Sequence, residues 1–548
     1  MILVVCALGS VWHWWSRSQP VIVVDALSER LQCVSYTPFR KPGDSPLNLT
    51  QFVSAEQIDA DLKLLAQRFG CVRTYSVSQG LQEVPRLARN HGLKVLLGIW
   101  IGRYANENER ELSRAISLAR QYPEAIRAII VGNEVLLRSE QPAAALRAFI
   151  ERVKTAVPAI PVTYADVWEF WLQYRELASA VDFVTIHILP YWEDRPIPIQ
   201  HAAGHVSHIY QTVARELAGK EILIGETGWP SYGRQRQGAK PSLVNQARFI
   251  REFTVRADLE KIRYNLIEAY DQPWKRVMEG AVGGYWGLYD SQDRPKFPLR
   301  GPVAEGSRGS LAVVAVIAAF FAVFLRRWRQ LDRKEMVLLL MICIAAGSAS
   351  FGVWQDLWAA NRNLAEWMVT GIYGLLLLMA SFALGAPLAA WCATGRPPPG
   401  IAPVSRLLLW VRRNDQGFDS RARVLGAFRI AFLFGAAFMC LVLFFDPRYR
   451  DFPLALYAVP SIGFALLSLV NGKSLAELEE ILLAGLIAVL AVLIALSEHV
   501  VTPREGAWTW AAAINGHALA WSGLCFLLAG SVLVPVLAEL RTRQHQVA

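Results

Sequence analysis

The sequence predicts an α/β protein in two parts: a (β/α)8, TIM-type barrel followed by an all-α polytopic membrane domain. Two patterns predict it. Up to about residue 305, short β-branched runs alternate with amphipathic stretches; beyond that point, long runs lack charge. The strand-like runs are 34–39, 71–76, 94–100, 126–135, 161–168, 183–191, 221–230 and 264–271. Between them lie stretches such as 55–70 and 109–122, with apolar residues at i, i+3 and i+4. Eight strand–helix units over about 270 residues match the arithmetic of a closed barrel. A doubly wound open sheet is the alternative, but no glycine-rich phosphate loop follows the first strand. The segment 283–290 (GGYWGLYD) reads as a closing loop rather than a full eighth helix. The barrel is expected over 20–300, and a Gly/Pro-containing linker over 301–309.

Seven apolar runs follow, at 310–325, 336–354, 368–391, 426–445, 453–470, 480–497 and 516–538. Each approaches the ~20 residues that a helix needs to cross a bilayer. They define a membrane domain over 310–540 and a short cytoplasmic tail over 541–548. The net charge of +10 is distributed to match. Arg326, Arg327, Arg329, Arg333 and Lys334 follow the first run. Arg396, Arg406, Arg412, Arg413, Arg421 and Arg423 follow the third, and Arg541 and Arg543 the last. The opposite loops hold only Arg362, Arg448, Arg450 and Arg504. By the positive-inside rule the rich loops are cytoplasmic and the barrel lies outside the membrane. Basicity therefore reports topology, and no nucleic-acid partner is expected. Residues 1–18 are apolar but short, with no Lys or Arg before them, and read as an amino-terminal anchor or signal remnant. Arg429 is expected to snorkel towards the headgroups, and Asn515 with His517 to sit at the interface. Cys33 and Cys71 open successive strands; two buried thiols are the expectation, and a disulfide the alternative. No spacing resembles a metal site, and no cofactor is called for.

Two segments carry the chemistry. IIVGNEV (129–135) and ILIGETGWP (222–230) each push a glutamate, Glu134 and Glu226, off the end of a buried strand. A carboxylate there is rarely structural. Two placed alike suggest the carboxylate pair of glycoside chemistry, one protonating the leaving oxygen and the other acting at the anomeric carbon. Other polar and aromatic residues gather at the same strand ends: Tyr36, Arg73, Tyr75, Trp100, Asn133, Tyr164, Asp166, His187, Tyr191, Trp229, Glu268 and Asp271, with Trp274 and Lys275 beyond. Aromatic faces stack on pyranose rings while polar groups hold hydroxyls.

GNEV (132–135), GETGWP (225–230), EAYDQPWK (268–275) and YWGLYD (285–290), in this order, resemble glycoside hydrolase family 17, the β-1,3-glucanases and β-1,3-glucan transglycosylases. The likeness covers most of 30–300. It implies a retaining (β/α)8 enzyme, with Glu134 as acid/base on strand four and Glu226 as nucleophile on strand seven. It also implies that Asn133 holds the sugar 2-hydroxyl and that Glu268 and Lys275 accompany the pair. Trp229 and Trp274 are candidate sugar platforms. Tyr36, Arg73, Tyr75, Asp166 and Tyr191 are further candidate contacts, and His187 a hydrogen-bonding group behind them. Multi-span proteins with this domain resemble bacterial enzymes of periplasmic β-1,3/1,6-glucan synthesis, some making cyclic products. The resemblance thus implies a transglycosylase in the inner membrane, acting on β-1,3-glucan or laminari-oligosaccharides beside a glucan synthase. An endo-β-1,3-glucanase is the alternative, and a glucan-binding or export component with an inactive barrel a second.

Overall fold

The computed structural model describes residues 2–306, 317, 333–361, 363–395, 397–405, 419–445, 450–471, 476–499 and 515–547. It falls into two units, Pro20–Val303 and the remainder.

The Pro20–Val303 unit is the expected barrel. Strands β1 (Leu31–Ser35), β2 (Phe69–Arg73), β3 (Lys94–Ile99), β4 (Ile126–Asn133), β5 (Val162–Val167), β6 (Val184–His187), β7 (Ile222–Thr227) and β8 (Arg263–Leu266) close in sequence order. Every neighbouring pair is parallel. Such strands are covered on both faces, which is why they read as continuous apolar runs. In β4 every residue but Arg127 is buried. Helices pack around the outside, and their apolar spacing shows how. In the helix Ala105–Gln121, Leu112, Ala115, Leu118 and Ala119 share the buried face. The first two strands begin two to three residues earlier than their sequence pattern suggests. The expected helix 55–70 stops at Leu65, because Phe69 must pair with Leu31. After β8 only short helical turns follow (Pro273–Lys275, Arg276–Glu279, Ala281–Gly284). Tyr289 then bridges to Tyr270, so this segment closes the barrel as a loop, as expected.

One expectation fails here. Cys33 and Cys71 are not separate thiols; they form a disulfide, with Cα atoms 4.5 Å apart. The cause is register: the two residues are direct partners across β1 and β2, within the span a disulfide bridges. The bond lies in a buried layer with Leu96, Ala128, Ile130, Ala165, Phe183 and Leu223. At the ends of the unit, Val21 and Val303 form an antiparallel bridge, with N–H···O distances of 2.8 and 3.0 Å. The Ala26 amide adds a bond to Leu299 O, and Asp25 Oδ1 accepts from the Gly301 amide at 2.7 Å.

The second unit is helical. It comprises α1 (Ile2–Ser18) and helices Arg333–Ala360, Leu364–Thr394, Ser420–Phe445, Leu454–Asn471, Leu478–His499 and Gly516–Val547. Five of these are long and apolar enough to cross a membrane: those containing 336–358, 364–392, 420–445, 478–498 and 516–541. The expected span at 453–470 is a helix whose apolar stretch, Leu454–Val470, is shorter; the one at 310–325 lies, but for residue 317, outside the described residues. Large apolar side chains cover the outside of the bundle as well as its core, among them Leu375, Phe434 and Val489. A helix apolar all round suits a lipid surround. Trp14 of α1 donates to Ser348 Oγ at 2.6 Å and packs edge-on against Phe351.

Two further expectations are corrected in this bundle. Arg429 does not snorkel: it is fully buried, and its Nη2 lies 2.8 Å from Glu480 Oε1, which is equally buried. Asn515 is buried too and donates to Glu498 Oε2 at 2.8 Å, while Arg450 binds Glu498 Oε1 at 2.8 Å and Leu443 O at 2.6 Å. Unpaired charge in an apolar interior is far more costly than paired charge, so each arginine turns inward to a carboxylate on the Leu478–His499 helix.

Two outcomes are expected. Cys71→Ser opens a loop spanning 38 residues and should lower barrel stability by about 2–4 kcal/mol, read as a lower unfolding midpoint without reductant. Glu480→Leu removes the carboxylate that Arg429 meets and should cost about 3–5 kcal/mol, whereas Glu480→Leu with Arg429→Leu should recover most of it. Thermal unfolding of the full chain in detergent distinguishes the two.

Candidate active site

The strands end at one mouth, and three pairings become irregular there. The register shifts between Ile130 and Asn133 on β4, between Ile186 and His187 on β6, and between Ile224 and Thr227 on β7. Such irregularities re-aim side chains beside active sites. The turn after β4 is tighter still. Gly132 has φ +86° and Glu134 φ +53°. A left-handed glutamate costs about 1–2 kcal/mol. It is held by its own amide to Ala165 O at 2.8 Å, and by its carbonyl accepting from the Arg138 amide at 2.9 Å.

Glu134 and Glu226 face each other across this mouth. Together with His187 they bring three carboxylate or imidazole atoms within 4.8 Å of one another. Glu226 is 5% exposed; Arg73 Nη1 lies 3.1 Å from its Oε1 and the Tyr75 hydroxyl 2.8 Å from the same atom. Tyr75 also lies 2.9 Å from Ser35 Oγ. Its one proton goes to the carboxylate, and Ser35, itself receiving Asn265 Nδ2–H, donates back. Oε2 of Glu226 has no partner among the described residues. The Glu134 side chain is 22% exposed, and its Oε1 meets His187 Nδ1 at 2.9 Å. Burial pushes its carboxyl up, but the His187 hydrogen bond and the charges of Arg138 and Arg73 outweigh burial and hold it below the usual glutamate value.

Arg73 ties these groups together. Besides Glu226 it donates to Gly225 O at 2.7 Å, and through Nη2 to Asn133 Oδ1 at 2.5 Å. Asn133 therefore turns its NH2 away from Arg73. A side chain at Gly225 would start 2.5 Å from Thr185 and 3.1 Å from the His187 ring, so glycine there lets the ring come close. Glu268 is buried under Glu226 with Lys275 Nζ at 2.9 and 2.8 Å from its two oxygens. Burial raises it to about 7, against the opposing pull of Lys275.

The structure thus gathers Glu134, Glu226, Asn133, Arg73, Tyr75, Glu268 and Lys275. Trp274 is half-buried, donates to Gln272 Oε1, and has Lys275 Nζ 5.9 Å from its ring. Four further candidates are buried against protein partners. Tyr36 is fully buried and donates to Asp61. Tyr191 and Trp229 are fully buried against one another, donating to Arg234 O and Lys240 O. Asp166 is buried, accepts from Tyr164 and the Val167 amide, and is raised by burial to about 6. Strand ends were located correctly, but the inward or outward turn of each aromatic was not legible. Sequence reasoning missed Ser35, and Arg138, whose guanidinium lies 4.4 Å over the Trp100 ring. Its signal was its place four residues after Glu134.

The donor set of Glu134, His187 and Glu226 invites a cation. Arg73 already lies 3.1 Å from Glu226 and 3.3 Å from His187 Nε2, and a second positive charge there would be repelled.

Residues 33–287 match the family model described as the BtgE/BtgC glycoside hydrolase domain. The "Probable beta-glucosidase btgE" of Aspergillus flavus is 26% identical over 264 residues, 47% of this chain and 42% of that protein. The glucan 1,3-beta-glucosidase of Arthroderma benhamiae is 26% identical over 260 residues, 44% of this chain and 82% of its own length. The chain spans less than half of the btgE protein. Among solved structures, a Rhizomucor miehei β-1,3-glucanosyltransferase in complex with laminaritriose is 24% identical, with a TM-score of 0.43 over 50% of this chain and 98% of that one. Over residues 33–287 the barrel is thus similar to the BtgE/BtgC glycoside hydrolase domain.

Proposed function

We propose that the barrel is a retaining β-glucan transglycosylase acting on β-1,3-glucan chains, with Glu226 as nucleophile and Glu134 as acid/base. The observation that carries this is the carboxylate spacing. One oxygen of each lies within 4.8 Å of the other, which is compatible with the ~5–5.5 Å carboxyl separation of retaining pairs. Glu226 Oε2, free of partners, attacks the anomeric carbon as Glu134 protonates the leaving oxygen. Glu134 then takes a proton from the acceptor as the ester to Glu226 breaks. Asn133, with its carbonyl held by Arg73, offers its NH2 to a sugar hydroxyl. Trp274 is the remaining candidate platform.

Transfer and hydrolysis differ only in the acceptor. An apolar helix bundle in the same chain favours transfer, since an enzyme held at a membrane meets nascent glucan at high local concentration. Hydrolysis is the second reading, favoured by the glucosidase names of the relatives. External placement of the barrel is supported twice, by the arginine-rich alternate loops and by the Cys33–Cys71 disulfide, which belongs to an oxidising compartment. On this reading α1 is an amino-terminal anchor, the chain sits in a bacterial inner membrane with the barrel in the periplasm, and a membrane glucan synthase supplies its substrate.

Incubation of the full chain with a defined laminari-oligosaccharide, resolving linkage and ring closure, tests the proposal. Longer, branched or cyclic products are expected. Only shorter sugars would leave hydrolysis, and no turnover would sink both. Glu226→Gln should abolish either activity, and Glu134→Gln should lower it by about 10²–10⁴-fold.

A further inference from the structure

His187 lies between the two glutamates and is 1% exposed. Each ring nitrogen meets a different kind of partner. Nδ1 is 2.9 Å from Glu134 Oε1; Nε2 is 3.3 Å from Arg73 Nη1 and 3.6 Å from Glu226 Oε1. A guanidinium nitrogen can only donate, so a proton on Nε2 would set donor against donor. Glu226 lies beyond hydrogen-bond reach of that nitrogen. The single proton of a neutral imidazole therefore belongs on Nδ1, where it donates to Glu134 Oε1. With Oε1 committed as an acceptor, Oε2 is the oxygen left to carry a proton.

Six titratable or charged groups act on Glu134 from the elements around it: Arg138 on its own loop, Arg73 on β2, Tyr164 and Asp166 on β5, His187 on β6 and Glu226 on β7. Among the described contacts only His187 makes a hydrogen bond to its carboxylate. That bond favours the ionised form, in line with the lowered proton affinity of Glu134.

We propose that His187 is a positioning residue: by donating Nδ1–H to Glu134 Oε1 it directs the catalytic proton to Oε2 and biases Glu134 towards the base half of the reaction. The inference rests on Glu134 being the acid/base. In the first half-reaction Oε2–H passes its proton to the leaving oxygen as the glycosidic bond breaks and the bond to Glu226 forms. In the second, the Glu134 carboxylate takes the acceptor's proton as the Glu226 ester breaks. The His187 proton stays on Nδ1 throughout. A site biased in this way resolves the covalent intermediate readily but loses its acid early as pH rises.

The test is the pH profile of kcat/KM for a laminari-oligosaccharide, measured on the full chain in detergent. Its alkaline limb reports loss of the proton from Glu134 in the free enzyme. His187→Leu removes the hydrogen bond to the carboxylate, so Glu134 keeps its proton longer and the limb should move up by about 1 pH unit or more. His187→Asn, whose amide N–H replaces the donor, should keep the limb near the wild-type position. A uniform fall in rate with the limb unmoved in His187→Leu would overturn the proposal, as would equal shifts in both variants. His187→Phe, which keeps the ring volume, replaces the Leu variant if that does not fold. A carboxyl 13C NMR titration of Glu134, assigned by loss of its signal in Glu134→Gln, needs no turnover. A midpoint below the ordinary glutamate value in the wild type supports the role of His187; one at or above it sinks the role. That readout stands even where inactivity has sunk the proposed function.

Discussion

The site depends on one guanidinium. Arg73 is 1% exposed at the end of β2, and its two terminal nitrogens reach Glu226 and Gly225 of β7, Asn133 of β4 and His187 of β6. An arginine buried this deeply is tolerable only when paired, and its pairing fixes the groups around it. Because guanidinium always donates, it settles which atom of Asn133 and which nitrogen of His187 face it. The cation thus orients three neighbours from three different strands. The tyrosine beneath it, Tyr75, stacks with its ring 4.7 Å from the guanidinium and sends its hydroxyl to the same glutamate.

The barrel and its two glutamates were legible because both follow from short-range chemistry. Strand periodicity and strand order are written locally, and strand order alone puts Glu134 and Glu226 at one mouth. What was not legible depends on rotation about single strands and on partners far away in sequence. Tyr36, Tyr191, Trp229 and Asp166 all stand at strand ends, yet each turns to a buried acceptor or donor that sequence spacing does not reveal. The disulfide was open for a related reason: Cys33 and Cys71 are separated by 38 positions, and only the register of β1 on β2 makes them partners. His187 is the opposite case, anticipated as a hydrogen-bonding group but not as the partner of Glu134.

In the helical unit the same physics works in a less polar setting. Hydropathy marks the helices but says nothing about which charged residue meets which. Glu480 and Glu498 stand 18 positions apart on one helix, about 27 Å at 1.5 Å per residue, close to the ~30 Å of a hydrocarbon core. Each is met by a buried arginine from elsewhere in the bundle, so this helix is pinned near both ends. Glu480, in the first turn, also faces the positive end of the helix dipole. Buried pairs of this kind specify which helices sit together more than they add net stability.

The bridge between Val21 and Val303 carries a consequence of its own. It brings the first and last residues of the barrel unit to one point. A domain whose ends are neighbours can be inserted into a host chain, or lost from it, without changing the distance the host must span. The barrel thus has the geometry of a cassette, its two ends joined by a pair of backbone hydrogen bonds.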